Sequence, residues 1–374
     1  MWTTPKRLRC AVLSVLKHDY VARGVATHPR FELVVVADDP QVEEWGHERN
    51  QQFADVLGVP YVRDVERALA DFDVDVVIVS SEAERHCDLS IRAASAGKHV
   101  IQDKPLSTVR SEAERLVTTI DETGVRFLMW NRNFLPAIND ARRRIADGTI
   151  GRPYAIHSDF YFAKDAGVPK GSRPPGYPPL NWRAHQIASH IDGSDGGLGT
   201  DAMGELAIEA IYPLGYFDVI LGGPRVERVF ARSTSHFHQV YADNDVEDLA
   251  SVTLEMSDDI IGSLAIGRIG AASHASGGDI KLLIQGDRGT LAINEAHPDV
   301  GIYYKGQPPR EARQRRVASE NDFLLAHNFA EAIDTGARTI MDASTSYNIF
   351  ATCEAARESS RTSQPVKVHN WNDA

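Results

Sequence analysis

Short apolar runs rich in valine and isoleucine recur along the first third of the chain. The runs cover residues 8–15, 31–37, 74–80 and 99–102. Runs that are apolar at most positions are typical of strands covered on both faces, as in a parallel sheet. The segments between them carry apolar residues at helical spacing, and Gly58 and Gly97 predict helix ends. Strands that alternate with helices form βαβ units, so the pattern predicts an α/β fold with a doubly wound parallel sheet over residues 1–128.

The remaining two thirds of the chain follow a different pattern. Alternating or apolar runs cover residues 225–232, 250–256, 260–268, 281–285 and 290–293. Turn residues separate several runs, at 257–259 and 286–289, so neighbouring strands are expected to be antiparallel. Helical patterns lie near 136–147, 204–221, 322–335 and 345–361. The pattern predicts a second, α+β domain over residues 129–374, built on a large, mostly antiparallel, open sheet.

Composition narrows the class of protein. The chain has 374 residues, a length that suits two hydrophobic cores. Its formal net charge of −12 argues against a nucleic-acid or anionic-membrane partner. No apolar run approaches the ~20 residues that cross a bilayer, and no secretory leader precedes the first strand, so a cytoplasmic location is expected. Cys10, Cys87 and Cys353 are far apart and are expected to be reduced structural thiols.

The turn after the first strand is where a dinucleotide-binding fold normally places glycines. Glycines there let backbone amides approach a pyrophosphate at the N-terminus of the first helix. Here residues 11–20 contain no glycine, and the first glycine of the chain is Gly24. Ser14 is small and donates a hydrogen bond, and Lys17 carries a charge that neutralises a phosphate, so both are candidate phosphate ligands. Asp19 is a candidate helix cap that would compete with a phosphate for the same amides.

An acidic residue follows the second predicted strand. Three valines and an alanine lead to Asp38, at the distance after the first turn that is typical of dinucleotide-binding folds. A carboxylate there accepts both ribose hydroxyls of NAD and repels the 2′-phosphate of NADP. NAD is therefore the expected cofactor, with NADP less favoured. The alternative is that Asp38 and Asp39 only begin a turn before Pro40.

A longer motif surrounds the fourth predicted strand. It comprises Ala93-Ala94-Ser95-Ala96-Gly97-Lys98-His99-Val100 and then Gln102-Asp103-Lys104-Pro105. Later signals are residues 131–137, Asn181-Trp182-Arg183 and residues 286–291. Together these segments resemble the glucose–fructose oxidoreductase, inositol dehydrogenase and MocA (Gfo/Idh/MocA) family over nearly the whole chain. Members of that family carry Ala-Gly-Lys-His-Val and a Glu-Lys-Pro tripeptide, so Asp103 is shorter than the family's acid by one methylene.

The resemblance implies a nicotinamide-dependent oxidoreductase that acts on a sugar or polyol. In the family the lysine of the tripeptide reaches the reacting hydroxyl, so Lys104 is the predicted catalytic residue, and its bond to Pro105 is expected to be cis. The usual partner is a histidine on a later helix, and spacing back from Gly222 places Tyr212 at that position. Some family members have a tyrosine there, which makes Tyr212 the second candidate. The alternative is a core tyrosine at the edge of a helix.

Hydride transfer from a secondary alcohol requires a group that removes the hydroxyl proton. A lysine partly shielded from water serves in such a relay, and a tyrosine beside its ammonium can share the proton. Lys104 is expected at the carboxyl end of a parallel strand, which is where ligands bind in such sheets. The sequence therefore predicts that Lys104 is functional rather than a surface lysine.

Further candidate ligands follow from the same resemblance. The predicted cofactor contacts, besides Ser14, Lys17 and Asp38, are Ser80, Glu82, His86, Asp103, Trp182 and Arg183. The predicted substrate contacts are Lys104, Asn131, His190 and Tyr212. His185 and His190 are alternatives for the missing catalytic histidine. Histidines and carboxylates near them also suit a metal ion, but their spacing matches no common metal motif, so no metal is expected.

Two functions stay open at the level of sequence. The first is an NAD-linked oxidoreductase for a secondary hydroxyl of a sugar, cyclitol or glycoside, working as a homodimer or homotetramer as the resemblance implies. The second is a non-catalytic sensor or binding subunit that has lost its phosphate-binding glycines. Lys104 and Asp38 favour the first function, whereas the glycine-free turn and the altered histidine motif favour the second.

Overall fold

The described structure consists of two compact units. The computed structural model describes residues 6–162, 203–269, 279–294, 299–304, 310–313 and 318–371. Within these ranges, the first unit holds residues up to Asn131 together with Asp322–Tyr347, and the second holds the rest. No helix in the same ranges is long and apolar enough to cross a membrane.

The first unit is built on a parallel sheet of six described strands. These are β1 (Leu8–Leu13), β2 (Phe31–Ala37), β3 (Tyr61–Val62), β4 (Val76–Val79), β5 (His99–Gln102) and β6 (Phe127–Met129). All neighbours are parallel, in the order β3-β2-β1-β4-β5-β6. Val12, Ile78 and Ile101 are fully buried, as expected of strands covered on both faces. The predicted doubly wound sheet is confirmed, with its strand order reversing between β1 and β4.

Helices connect the strands of this unit. They are α1 (Tyr20–Ala26), α2 (Glu44–Leu57), α3 (Val65–Asp71), α4 (His86–Ser95) and α5 (Arg110–Thr123), with a 3₁₀ turn (Ala83–Arg85) before α4. Gly58 ends α2 with φ 69°, in the left-handed region where glycine is favoured, so that predicted helix end is confirmed. Helix α5 was not predicted from the sequence, because most of its residues are polar and its buried stripe consists of few positions, among them Leu116 and Ile120.

The second unit is built on a mixed sheet of nine described strands. These are β7 (Pro153–Phe162), β8 (Val226–Thr234), β9 (Leu249–Met256), β10 (Ile260–Arg268), β11 (Asp279–Gly286), β12 (Gly289–Asn294), β13 (Asp299–Tyr304), β14 (Arg310–Arg313) and β15 (Val366–Lys367). The order is β14-β13-β12-β11-β7-β10-β9-β8-β15, and only β7 and β10 pair in parallel among these strands. The predicted large, mostly antiparallel sheet is confirmed.

The later helices differ from prediction at two places. They are α6 (Pro136–Ala146), α7 (Glu205–Ile208), α8 (Ile211–Leu221), α9 (Gln239–Asp243), α10 (Ala318–Thr335) and α11 (Ala343–Thr362). The helical segment predicted near 204–221 is found, but the chain divides it into α7 and α8 with a break at Glu209 and Ala210, and the short α9 was not predicted. Pro213 explains the break, because it lacks the N–H that would bond to Glu209 O and is tolerated only in the first turn of a new helix.

The segment from α10 to the start of α11 returns to the first unit. Met129 N donates to Met341 O at 2.9 Å, and Thr339 Oγ1 donates to Phe127 O at 2.5 Å. These bonds attach the returning segment to the edge strand β6. A linear sequence pattern carries no sign of such a return, and the domain boundary at residue 128 stays a prediction.

The sheet of the second unit exposes apolar side chains on one face. Ile261 on β10 is 61% exposed, and Phe230 on β8 and Leu283 on β11 are also exposed. Positions that point the other way, such as Leu264 and Ile284, are buried. The strands therefore alternate between a core face and an outer face, as an antiparallel sheet with one solvated side does.

Candidate active site

Lys104 lies just past the carboxyl end of β5. The residue is only 4% exposed, and its bond to Pro105 is cis, as the resemblance implies. Gln102 fixes the segment that follows the strand, since its Nε2 donates to Leu106 O at 2.8 Å and its Oε1 accepts from Ser90 Oγ at 2.7 Å. The lysine therefore extends from a buried, hydrogen-bonded segment and not from a surface loop.

Asp103 is the centre of a buried polar cluster. Its Oδ1 accepts from Tyr20 Oη at 3.0 Å and from the Lys104 amide at 2.8 Å. Its Oδ2 lies 2.6 Å from His18 Nδ1 and 3.8 Å from Lys17 Nζ. Burial alone would raise the pKa of Asp103, but the charge of Lys17 and the contact with His18 outweigh burial and lower that pKa well below its usual range. Asp103 is thus an ionised carboxylate that ties the first turn of the fold to Lys104.

Ser14 takes the backbone conformation that a glycine takes most easily. Its φ is 65°, in the left-handed region where residues with a side chain are uncommon. The Ser14 hydroxyl accepts from Leu16 N at 3.3 Å, and the Val15 amide donates to Asn50 Oδ1 at 2.8 Å. Two amides of this turn are therefore bonded within the protein, whereas the amides of a glycine-rich turn face the pyrophosphate.

Lys17 and Asp19 follow in the same turn. The Lys17 ammonium donates to Lys104 O, and the residue is buried. Its role as a phosphate ligand stays a prediction. The Asp19 carboxylate accepts from Arg23 Nε at 2.7 Å and makes no capping bond at the start of α1. The expectation that Asp19 occupies the helix amides is wrong, because its carboxylate pairs with an arginine one turn later.

Asp38 directly follows β2 and is fully buried. Its carboxylate accepts from the Asp39 amide at 2.9 Å, from Asn50 Nδ2 at 2.8 Å and from Arg85 Nη1 at 2.7 Å. A carboxylate has roughly four acceptor positions, so most of them are filled. The ribose role of Asp38 stays a prediction, and the contact with Arg85 was not foreseen from the sequence.

Ser80 and Glu82 follow the carboxyl end of β4. The Ser80 hydroxyl is buried and has no hydrogen-bond partner among the described residues. Glu82 Oε2 accepts from Arg85 Nη2 at 2.8 Å. Both residues were predicted as cofactor contacts, and both lie beside the point where the strand order reverses.

His86 begins α4 and is fully buried. Its Nδ1 lies 2.8 Å from Pro105 O, and its Nε2 lies 3.0 Å from Ser81 O. Burial, followed by the charge of Lys17, lowers the pKa of His86 to about 4, so the imidazole is neutral at pH 7. A neutral ring has one N–H, so His86 donates to only one of these two carbonyl oxygens, and it lies between the end of β4 and the segment that carries Lys104.

These residues fit a dinucleotide bound across the carboxyl ends of the strands. Ligands bind there in doubly wound sheets, and Ser14, Asp38 and Ser80 mark the ends of β1, β2 and β4. The buried Ser80 hydroxyl has no partner among the described residues, and a buried polar atom left without a partner costs about 1–3 kcal/mol. A ligand hydrogen bond at that atom would remove the cost.

The other predicted site residues lie further along the chain. Tyr212 is in the first turn of α8, buried, with its ring centre 5.9 Å from that of Phe160 and 4.5 Å from the Arg132 guanidinium carbon. The aromatic stacking is typical of a core tyrosine, and the cation is attracted to the ring face. Its catalytic role stays a prediction. Asn131 ends the first unit and is buried. Trp182, Arg183 and His190 lie outside the described residues.

The fold brings to this site several residues whose roles could not be predicted from the sequence. His18 and Tyr20 contact Asp103, Asn50 contacts both Val15 and Asp38, and Arg85 contacts Asp38. The one signal in the sequence was the absence of glycine from the first turn, because the positions of that turn then carry side chains that can contact other segments. The partners are far apart in sequence, so local patterns do not reveal the contacts.

A second buried network lies in the second unit. Arg268, at the end of β10, donates from Nε to Glu205 Oε1 at 3.0 Å and from Nη2 to Glu209 Oε1 at 3.1 Å. Tyr241 Oη also donates to Glu205. Two carboxylates on one buried guanidinium form a rigid anchor for the start of the α7–α8 region. Within the described ranges, no three His, Cys, Asp or Glu side chains are grouped so as to hold a metal ion.

Two family models match the chain. Residues 15–131 match the model described as an oxidoreductase family with an NAD-binding Rossmann fold. Residues 142–368 match the C-terminal alpha/beta domain of the same oxidoreductase family. The structural fold agrees with both descriptions, since a parallel sheet of the Rossmann order is followed by a mixed sheet with helices.

Curated relatives match parts of the chain. It is 34% identical over 167 residues to a scyllo-inositol 2-dehydrogenase (NAD(+)) of Bacillus subtilis. The aligned region covers 44% of this chain and 46% of that protein. It is 25% identical over 248 residues to a 2,7-anhydro-N-acetylneuraminate hydratase of Mediterraneibacter gnavus, covering 66% of this chain and 58% of that protein. The chain spans about half the length of these relatives.

A solved structure matches over nearly the full length. A levoglucosan dehydrogenase in complex with NADH and L-sorbose aligns with a TM-score of 0.77 at 19% identity, covering 98% of this chain and 100% of that chain. At this identity the match shows a shared fold. With the two model matches, it shows that the chain belongs to the Gfo/Idh/MocA oxidoreductase family, with an NAD-binding Rossmann fold in its N-terminal part.

Proposed function

We propose that the protein is an NAD-linked oxidoreductase that transfers hydride between the nicotinamide and a secondary hydroxyl of a sugar, cyclitol or glycoside. The observation that carries the proposal is Lys104, buried after β5 with its amide bonded to the ionised Asp103. Dehydrogenases for scyllo-inositol and levoglucosan among the similar proteins support the substrate class.

The chain's own groups supply the proton chemistry in this proposal. Bound NAD supplies the hydride acceptor. The hydroxyl proton passes to Lys104 or Tyr212 as the hydrogen on the same carbon leaves as hydride. Asp103 and Lys17 hold the backbone of Lys104 through its amide and carbonyl, so the lysine stem starts from a fixed point. A fixed starting point favours proton transfer, because the reacting atoms must approach within hydrogen-bond distance.

The proposed ligand contacts divide between cofactor and substrate. The cofactor contacts are Ser14, Lys17, Asp38, Ser80, Glu82, His86 and Asp103, together with Trp182 and Arg183. The substrate contacts are Lys104, Asn131, His190 and Tyr212. In the first unit, the unpartnered Ser80 hydroxyl is the strongest support for this set.

The experiment combines NADH titration with turnover on a panel of sugars and cyclitols. Lys104→Ala should lower turnover by at least about 100-fold and leave NADH bound, because a positioned proton-transfer group contributes about 10²–10⁴-fold. Lys98→Ala is the matched control, since Lys98 precedes the opposite end of β5. Equal turnover in Lys104→Ala, or no NADH binding by the unaltered protein, contradicts the proposal.

A specific observation keeps the non-catalytic alternative open. The Val15 and Leu16 amides are bonded within the protein, so they are not directed at a phosphate in this arrangement. A sensor or binding subunit would tolerate weaker cofactor binding than an enzyme. Thermal stabilisation by NADH separates the two, because a ligand at about a hundred times its dissociation constant adds roughly 2.7 kcal/mol. Tight NADH binding with sugar-dependent absorbance change would exclude the sensor.

We also propose that the protein is cytoplasmic and forms a homodimer or homotetramer. Its binding partner in this proposal is a small sugar or polyol. The exposed Ile261 and Phe230 support association of copies, since an outer sheet face with apolar side chains favours a second surface against it. Cys10, Cys87 and Cys353 are buried and free, in accord with a reducing compartment. The net charge of −12 supports a small-molecule partner rather than nucleic acid.

A further inference from the structure

An arginine covers the carboxylate that is expected to hold the cofactor's ribose. Arg85 Nη1 lies 2.7 Å from Asp38 Oδ1, and Arg85 Nη2 lies 3.4 Å from Asp38 Oδ2. On its other side the same guanidinium donates to Glu82 Oε2, from Nε at 3.1 Å and from Nη2 at 2.8 Å. Arg85 therefore joins the end of β2 to the loop after β4.

This contact changes the electrostatic argument about the cofactor. An acid at the end of β2 excludes NADP because an uncompensated carboxylate repels the 2′-phosphate. Asp38 is not uncompensated, since a guanidinium is paired with both of its oxygens. Arg85 is shared with Glu82, so the three groups together keep one excess negative charge, but the guanidinium lowers the repulsion that Asp38 alone would exert on a second anion.

Asp38 does not depend on Arg85 for its position. Asn50 Nδ2 donates to its Oδ2 at 2.8 Å, and the Asp39 amide donates to its Oδ1 at 2.9 Å. The Arg85 side chain is 24% exposed, whereas that of Asp38 is fully buried. Arg85 is thus the partner that moves outward more easily, and Asp38 would stay in place when it does.

The guanidinium is chemically suited to the group that distinguishes the two cofactors. A ribose 2′-phosphate carries roughly two negative charges, and arginine binds phosphate through two parallel hydrogen bonds. A shift of Arg85 that gives up its bonds to Glu82 and keeps one nitrogen on Asp38 would leave its other donors for a 2′-phosphate while Asp38 stays paired. NAD offers the displaced arginine no phosphate at that position, whereas NADP does.

We propose that Arg85 determines the dinucleotide preference of this protein and makes it accept NADP(H) as well as NAD(H). This inference rests on the proposed function, because it assumes that a nicotinamide dinucleotide binds at the carboxyl ends of the strands. It assigns Asp38 the ribose hydroxyls and Arg85 the 2′-phosphate.

Direct titration with NADH and NADPH, followed by nicotinamide fluorescence, tests the assignment without a substrate. The unaltered protein should bind both, with dissociation constants within about tenfold of each other. Arg85→Met should weaken NADPH binding relative to NADH by at least about tenfold, since it removes charged hydrogen bonds to phosphate and leaves Asp38 unpaired. The NADPH affinity of the unaltered protein should also fall more steeply with salt than its NADH affinity.

Arg92→Met is the matched control. Arg92 pairs with Asp39 through two bonds, Nη1 to Oδ2 at 2.8 Å and Nη2 to Oδ1 at 2.9 Å. The change removes the same chemical group from the next acid along the chain. It should leave the ratio of the two dissociation constants within about twofold of the unaltered protein.

Three outcomes separate the inference from the proposed function. An unchanged ratio in Arg85→Met, with NADH bound by both proteins, overturns the role of Arg85 and leaves the proposed function intact. NADPH binding more than about a hundredfold weaker than NADH binding in the unaltered protein also overturns it. Absence of binding of either dinucleotide overturns both proposals. If Arg85→Met does not fold, Arg85→Gln, which keeps a polar side chain, is measured for the same ratio and judged by the same criteria.

Discussion

Removal of the Asp103 charge is the most direct test of the cluster around Lys104. Asp103→Asn keeps the shape of the side chain and its capacity to accept from the Lys104 amide or Tyr20. It removes the anion that faces Lys17 Nζ at 3.8 Å and His18 Nδ1 at 2.6 Å. Because Lys17 is buried, its ammonium would lose the countercharge in a place that water does not reach.

The size of the effect follows from this loss. Removal of one partner from a buried ion pair costs about 3–5 kcal/mol, because the other charge is left uncompensated. The Lys104 carbonyl remains as an acceptor for Lys17, and asparagine still accepts a hydrogen bond, so we expect about 3 kcal/mol. That loss is a large fraction of the 5–15 kcal/mol typical of folded domains.

Urea unfolding followed by tryptophan fluorescence measures the change. Trp130 is buried in the first unit and reports on it, while far-UV circular dichroism checks that the transitions coincide. Asp71→Asn is the matched control, because Asp71 pairs with Arg67 on the exposed surface of α3. A loss in Asp103→Asn below about 1 kcal/mol, the usual scale of exposed pairs, would refute the argument from buried charge.

The acid dependence of the same variant gives an independent check. The pKa of Asp103 is lower in the folded state than in the unfolded chain, so its contribution is present above the unfolded value and lost as pH falls through the folded one. The unfolded value is about 3.9. The difference in unfolding free energy between the protein and Asp103→Asn should therefore stay constant from pH 7 to 5 and shrink below about pH 4.

Two further predictions concern other parts of the molecule. The folded pKa of His86 is about 4, below the ~6.5 of an unfolded histidine, so protonation favours unfolding and stability falls by about 3 kcal/mol between pH 6.5 and 4. His86→Gln should reduce this slope in urea titrations at several pH values, and an equal slope would show that His86 is not the titrating group. Ile261→Arg should dissociate the proposed oligomer in light scattering and leave the fold intact, whereas Val56→Arg, at an exposed apolar residue of α2, should not. Dissociation by neither change would argue against association through the outer face of the second unit's sheet.

The positions of the elements could be predicted from the sequence where a single pattern dominates. Strands β2 and β5 are found over the predicted residues, since their apolar runs are covered on both faces and bounded by polar turns. The helical segment predicted near residues 204–221 is divided into two helices, because hydrophobic periodicity continues through Pro213, while backbone hydrogen bonding does not. Helix α5 was missed because its apolar stripe is narrow, so the hydrophobic pattern gives little sign of the helix.

The site residues also divide into those that could be identified from the sequence and those that could not. Lys104 and Asp38 could be identified from the sequence alone because each follows a strand, and strand ends are encoded locally. Their partners could not. His18 meets Asp103 across 85 positions of the chain, and Arg85 meets Asp38 across 47. Which side chains meet across such separations depends on how the strands are ordered in the sheet and how the helices pack on it.

The sequence by itself determined the alternation of strands and helices, the lysine at the end of β5 and the family that these features indicate. The tertiary structure decided that Ser14 takes a glycine-like backbone, that Asp103 is buried and ionised beside Lys17, and that Arg85 covers Asp38. The physical reason is the distance along the chain over which each effect acts. Periodicity and turn chemistry act within a few residues, whereas burial, ion pairing and pKa values depend on segments that only the folded chain brings together.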